Sequence, residues 1–197
     1  MKDYFLKSFE KSISTKENCI DKGFDELNQI AEGIFKSINN KGKLLLCGNG
    51  GSCADAQHLA AELIVRLRSS HNRNPLPAIS LAMDSSTMTA CGNDYGFDNI
   101  FQRSLEAIGN KNDCLLAIST SGNSKNILLA IKAAKKIGMK VFAFLGGDGG
   151  ECKKYCDISY VVPSQDTAAI QEVHITIGHA LIESVEDKII DAQLKDQ

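Results

Sequence analysis

The chain has 197 residues, which suits one domain with one sizeable core, and its 22 basic and 24 acidic residues leave a formal charge of −2. With a pI of about 6.1 and no block of like charge, it has no electrostatic footprint for nucleic acid or for an anionic membrane. No apolar run approaches the roughly 18 residues of a membrane-spanning helix, and no apolar signal-type stretch follows Met1-Lys2-Asp3-Tyr4.

Residues 2–40 read as two amphipathic helices. Phe5, Phe9 and Ile13, and then Ile20, Phe24, Leu27, Ile30, Ile34 and Ile38, recur at helical spacing, with Gly23 and Gly33 as weak points. Their apolar faces need a partner, either the rest of the domain or another subunit. The pattern then changes. Residues 43–47 are a short apolar run ending in Gly48-Asn49-Gly50-Gly51-Ser52, and residues 54–67 read as a helix. Residues 69–77 are a polar, irregular loop, and 78–82 are a second strand. Gly92-Asn93-Asp94-Tyr95-Gly96 reads as a polar loop, either a helix-to-helix turn or a place where Asn93 and Asp94 bond sugar hydroxyls.

A third strand at 113–118 runs into Ser119-Thr120-Ser121-Gly122-Asn123-Ser124 and a helix at 126–137. A fourth strand at 140–145 ends in a glycine-rich loop at 146–150, a fifth covers 158–162, and a long helix at 167–190 follows. Unalternating apolar strands in strand–loop–helix succession predict an α/β fold with a five-stranded parallel sheet flanked by helices. The seven cysteines (Cys19, Cys47, Cys53, Cys91, Cys114, Cys152 and Cys156) are odd in number and include no CxxC. They indicate free thiols in a reducing cytosol rather than a disulfide framework.

Ligands of such folds bind beyond the carboxyl ends of the strands. The 119–124 loop places hydroxyls and free backbone N–H groups at a positive helix end, which suits a phosphate. An ordinary Ser/Thr-rich turn with an N-cap is the plainer alternative. The 48–52 loop has the same setting. It lacks the third glycine of a dinucleotide fingerprint, because Cys53 stands there. Asp84 ends the next strand as a ribose-binding acid would, but beyond the usual spacing of about 20 residues. Neither loop has the Gly-Lys-Ser/Thr ending of a P-loop.

His58 and Glu62 stand at i, i+4, a spacing that stacks them on one helix face. The pair suits two ligands of one metal, or a ligand beside a base, and a simple surface ion pair is the alternative. The last helix carries Gln171, His174 and His179 among apolar residues. Gln171 and His179 are about 12 Å apart along a helix axis, with directions differing by roughly 80°. Convergence on one ion would need long reach, a helix break or donation across a subunit interface.

Together these segments resemble the SIS (sugar isomerase) family, and within it the phosphoheptose isomerases, over nearly the whole chain. The carriers are the Gly48–Ser52 loop with Ala54-Asp55-Ala56-Gln57-His58-Leu59-Ala60-Ala61-Glu62-Leu63, the Gly92–Gly96 and Ser119–Ser124 loops, Gln171-Glu172-Val173-His174, and Gly178-His179. The resemblance implies a single SIS domain over 1–197, with N-terminal helices at 1–40 and an α/β core at 41–197. It implies a homotetramer with sites at subunit interfaces and one Zn²⁺ per subunit on His58, Glu62, Gln171 and His179. Glu62 matches the general base and His179 the general acid. Asn49, Gly50, Gly51, Ser52, Glu62, Asn93, Asp94, Ser119, Thr120, Ser121, Ser124 and Gln171 match substrate contacts. The implied reaction converts sedoheptulose 7-phosphate to D-glycero-D-manno-heptose 7-phosphate through an enediol, for a bacterial surface glycan such as lipopolysaccharide or capsule. Two alternatives stand beside it: a relative that binds a replication initiator and lacks the catalytic set, and an isomerase of another sugar phosphate. Retention of the four metal positions argues against the first.

Overall fold

A computed structural model describes residues 3–195. Helices α1 (Tyr4–Lys22) and α2 (Asp25–Asn39) are separated at Gly23, whose positive φ of 84° ends α1. Lys2, where the helical pattern begins in the sequence, lies outside the described residues. Five strands follow, β1 (Leu44–Gly48), β2 (Ala78–Ser80), β3 (Cys114–Ser119), β4 (Lys140–Gly146) and β5 (Ile158–Val162), all parallel in the order β2-β1-β3-β4-β5. Between and after them run α3 (Gly51–Ile64), α4 (Ser85–Tyr95), α5 (Ile100–Ile108), α6 (Lys125–Ile137), the single turn α7 (Gly150–Lys153) and α8 (Thr167–Lys195).

The sheet is covered on both faces, which explains strands without polar alternation. Leu44, Leu46, Leu116, Ile118, Phe142 and Phe144 pack beneath α2, α3 and α8. The intervening Leu45, Cys47, Leu115, Ala117, Val141 and Ala143 pack beneath α5 and α6. One face therefore gathers the helices at the two ends of the sequence, and the other gathers those from its middle.

Several boundaries differ from the sequence reading. Lys43 lies outside β1, with its backbone N–H and its amine both bound by the buried Asp113. α3 begins at Gly51, so the last two residues of the first glycine loop, Gly51 and Ser52, are already helical. Gly92–Tyr95 is the last turn of α4 rather than a loop. The helix-to-helix alternative for 92–96 has helices on both sides, α4 and α5, to which the sequence assigns no bounds. Asp84 is the N-cap of α4, accepting from the backbone of Ser86 and Thr87, which is a structural role and not a ribose site. All seven cysteines are free. Burial pushes the thiols of Cys114 and Cys156 up to about 12, so both stay protonated packing groups. No helix of the described residues is long and apolar enough to cross a membrane.

His174 is a core residue. Its side chain is fully buried on α8, and Nε2 donates to the Leu145 carbonyl on β4 at 3.1 Å. Burial pushes its pKa down to about 4, with the Leu145 carbonyl opposing that shift. The unfolded chain takes up this proton near pH 6.5 and the folded chain only near 4, so stability is lost as pH falls through that window. The full effect is on the order of 3 kcal/mol. Urea unfolding at pH 7 and at pH 4.5 should show this loss in the parent and a smaller loss in His174→Gln. Equal losses would remove His174 as the cause.

Candidate active site

The strand order places a switch point between β1 and β3, where neighbouring strands send their chains away in opposite directions. In open parallel sheets ligands bind in the crevice beyond such a point. The two loops that flank it here are the glycine loop after β1 and the Ser/Thr loop after β3. Their meeting is fixed by a reciprocal amide pair, in which Asn49 Nδ2 donates to Asn126 Oδ1 at 2.9 Å and Asn126 Nδ2 donates back to Asn49 Oδ1 at 2.8 Å. Asn126 is buried at the start of α6.

The Ser119–Ser124 loop is held by its own bonds. Ser119 Oγ accepts from Gly122 N–H, and Ser121 Oγ accepts from Asn123 N–H. Gly122, at φ 65°, stands against the Gly149 carbonyl, and its own carbonyl accepts from Cys152 N–H. The result is a fixed turn that aims the N-terminus of α6 into the crevice. Ser124 is the N-cap without a capping side-chain bond, and its hydroxyl accepts from Ser119 Oγ at 3.5 Å.

α3 and α8 lie side by side on one face of the sheet. They approach closely because Gly178 has no side chain: a Cβ there would meet Leu59 at 2.8 Å. That approach brings His58 Nε2 to 2.8 Å from His179 Nε2, with Glu62 Oε1 3.4 Å from His58. The three donor atoms lie within 4.8 Å of one another. Two imidazoles and a carboxylate are a borderline-metal donor set. About 3.3 Å separates two nitrogens in a tetrahedral site with bonds near 2.0 Å, so the rings need to part by only about 0.5 Å. The cluster fits a cation.

Gln171 lies two turns earlier on α8, with its amide against Gly51. α8 is unbroken between Gln171 and His179, so the three-donor cluster forms without the helix break. Beside Gln171 sits Asp55, which sequence reasoning placed in the His58 motif without giving it a role. It is buried, and its Oδ2 has no hydrogen-bond partner among the described residues. Burial raises its pKa, while the Gln171 amide, His58 and His179 pull the other way. A buried carboxylate beside two histidines adds negative potential at the place where a cation fits. The only signal in the sequence was its position one turn before His58.

The SIS domain pattern matches residues 8–146. A phosphoheptose isomerase of Clostridium acetobutylicum is 46% identical over 191 residues, covering 96% of this chain and 96% of that one. The chain belongs to the phosphoheptose isomerase family. A second family member, from Chlorobaculum parvum, is 51% identical over 176 residues, covering 89% of this chain and 84% of its own. The solved phosphoheptose isomerase of Francisella tularensis superposes with a TM-score of 0.90 at 40% identity, covering 95% of this chain and 100% of that chain.

Against that family background the expected residues fall into three groups. His58, Glu62 and His179 form one cluster, with Gln171 beside it. Asn49, Gly50, Gly51, Ser52, Ser119, Thr120, Ser121 and Ser124 line the crevice end of the sheet. Asn93 and Asp94 stand apart, exposed at the end of α4, where Asn93 donates to Asp94.

Proposed function

We propose that this chain is an aldose–ketose isomerase that converts sedoheptulose 7-phosphate to D-glycero-D-manno-heptose 7-phosphate through an enediol. The observation that carries the reading is the convergence of His58, Glu62 and His179 in a sheet whose switch point is flanked by the Ser/Thr loop. The names of relatives matched over nearly their whole length support it.

In this reading the Ser119–Ser124 loop and the α6 N-terminus take the phosphate, which fixes the distance to the reacting end. Glu62 removes the proton on C1 and returns it to C2. Its Oε1 faces His58, so the second oxygen is the one free for that work. His179 carries the proton between O1 and O2, a task for an imidazole at neutral pH. Asn49, Gly50, Gly51 and Ser52 contact the sugar chain, with Gln171. His58, Glu62 and His179 would hold Zn²⁺, with Gln171 as fourth donor, and the chemistry supplied by the bound ion is Lewis acidity toward the substrate oxygens.

The assembly belongs to the same reading. Phe5, Phe9, Ile13 and Ile20 leave an apolar face of α1 open, with Phe5 83% exposed. Tyr95 and Phe97 are exposed beside Asn93 and Asp94. Apolar area of this kind marks a protein interface. A homotetramer that covers both patches would bring Asn93 and Asp94 to a neighbouring crevice.

The test is NMR of sedoheptulose 7-phosphate in D₂O with metal-stripped and Zn²⁺-restored protein, on a sample whose mass is measured by light scattering. Deuterium at C2 of an aldoheptose 7-phosphate, restored by zinc in a tetramer, is the expected result. No exchange from a zinc-loaded tetramer would overturn the heptose reading.

A further inference from the structure

The irregular segment after α3 contains an ion pair with no exposed side-chain surface on either partner. The side chains of Arg73 and Glu186 are both 0% exposed, with Arg73 Nε donating to Glu186 Oε1 at 2.8 Å. The rest of the guanidinium grips the end of α3. Nη2 donates to the Glu62 carbonyl at 2.9 Å, and Nη1 donates to the Leu63 carbonyl at 2.8 Å. These are carbonyls that a helix end leaves without intrahelical partners, and that of Leu63 also accepts from Leu76 N–H. Glu186 receives two more bonds from the same stretch of chain, from Leu67 N–H at 3.3 Å and Arg68 Nε at 3.1 Å.

Glu186 lies seven residues beyond His179 on the unbroken α8, two turns along nearly the same face. The two ends of this one network are therefore the backbone of Glu62 and the helix of His179. We propose that the buried Arg73–Glu186 pair is a positioning device for the isomerase reaction: it fixes the register of α3 on α8 and so holds Glu62 opposite His179. This inference rests on the roles given above to Glu62 and His179.

Stability alone is a poor reason for such a pair. Desolvation of two buried charges offsets much of their attraction, and apolar replacements of similar volume are often as stable. What apolar packing lacks is direction. Helices that meet through leucines can slide, whereas a planar guanidinium bonded to three carbonyls (Glu62, Leu63 and Asn74) and one carboxylate has a single seating. A slip of one turn is about 5.4 Å, more than the whole separation between Glu62 and His58. Close packing of Leu59 on Gly178 sets how near the helices come. The ion pair sets where they stop along each other.

The test is the double replacement Arg73→Met with Glu186→Leu, beside Arg73→Lys and the parent. Melting temperature, turnover, KM and affinity for Co²⁺ by its visible spectrum are measured on each. Expected for the double variant are a folded protein with a melting temperature lowered by loss of the bonds to the Glu62 and Leu63 carbonyls and to Leu67 N–H, kcat lower by about 10²-fold as for a misplacement near 1 Å, KM within threefold, and Co²⁺ affinity at least tenfold weaker. Arg73→Lys keeps the charge but cannot span three partners, so it should fold and still lose kcat. It decides the matter if the double variant does not fold. A folded variant with kcat and Co²⁺ affinity within threefold of the parent overturns the inference. A parent without isomerase activity overturns the functional reading instead, and the Co²⁺ spectrum still reports on the helix register.

Discussion

Glu62→Gln is expected to lower turnover by about 10³-fold, within the range for loss of a general base, with the fold and mass unchanged. The amide keeps the size of the carboxylate but cannot accept a proton from carbon. His179→Gln should lower isomerisation to a similar extent by a different route. With Glu62 intact, proton removal from C1 remains possible, so slow deuterium exchange into the ketose should outlast aldose formation. The ratio of exchange to isomerisation, followed by NMR in D₂O, separates the two roles. Isomerisation within tenfold of the parent in Glu62→Gln would take the base assignment away from that residue.

The second large effect is expected at Gly122. Alanine there would carry a left-handed φ of 65° and drive its Cβ into the Gly149 backbone, which cannot swing aside as a side chain can. The strain alone is about 1–2 kcal/mol, and relieving the clash moves the loop proposed to take the phosphate. KM for the sugar phosphate should rise at least tenfold, and inhibition by inorganic phosphate should weaken in step. Gly138→Ala is the control. It has a similar φ of 90° at the end of α6, but open space around it. It should lose stability and leave KM alone. A KM within twofold of the parent in Gly122→Ala would show that the loop does not hold the phosphate.

What the sequence made legible was mostly what burial writes into it. β1, β3 and β4 are apolar on both faces, as short strands in the middle of a covered parallel sheet must be. The Ser/Thr loop and the His58–Glu62 spacing were legible because each is local. α4 was not, because Ser85-Ser86-Thr87-Met88-Thr89 is weak in helix propensity and the helix is held by the Asp84 cap and by tertiary contact. α5 has nine residues, too few for its periodicity to stand out. Asp55 and Arg73 were missed for a common reason. Charged side chains are usually exposed, and no pattern in one sequence marks those that are not. The convergence of His179 with His58 depends on Gly178, whose value lies in its contact with Leu59, far away in the chain.

The α3–α8 pairing also bears on when the site comes into being. α8 follows all five strands in the chain, whereas His58 and Glu62 come before all but the first of them. Until α8 docks, α3 presents only an imidazole and a carboxylate, a poor trap for a metal ion. The cluster of His58, Glu62 and His179 exists only in a chain that has seated its final helix against α3. A cation captured there adds its binding free energy to the finished fold rather than to earlier, partly folded chains. Under the proposed function, metal uptake at this cluster would then report on molecules in which α8 has docked against α3.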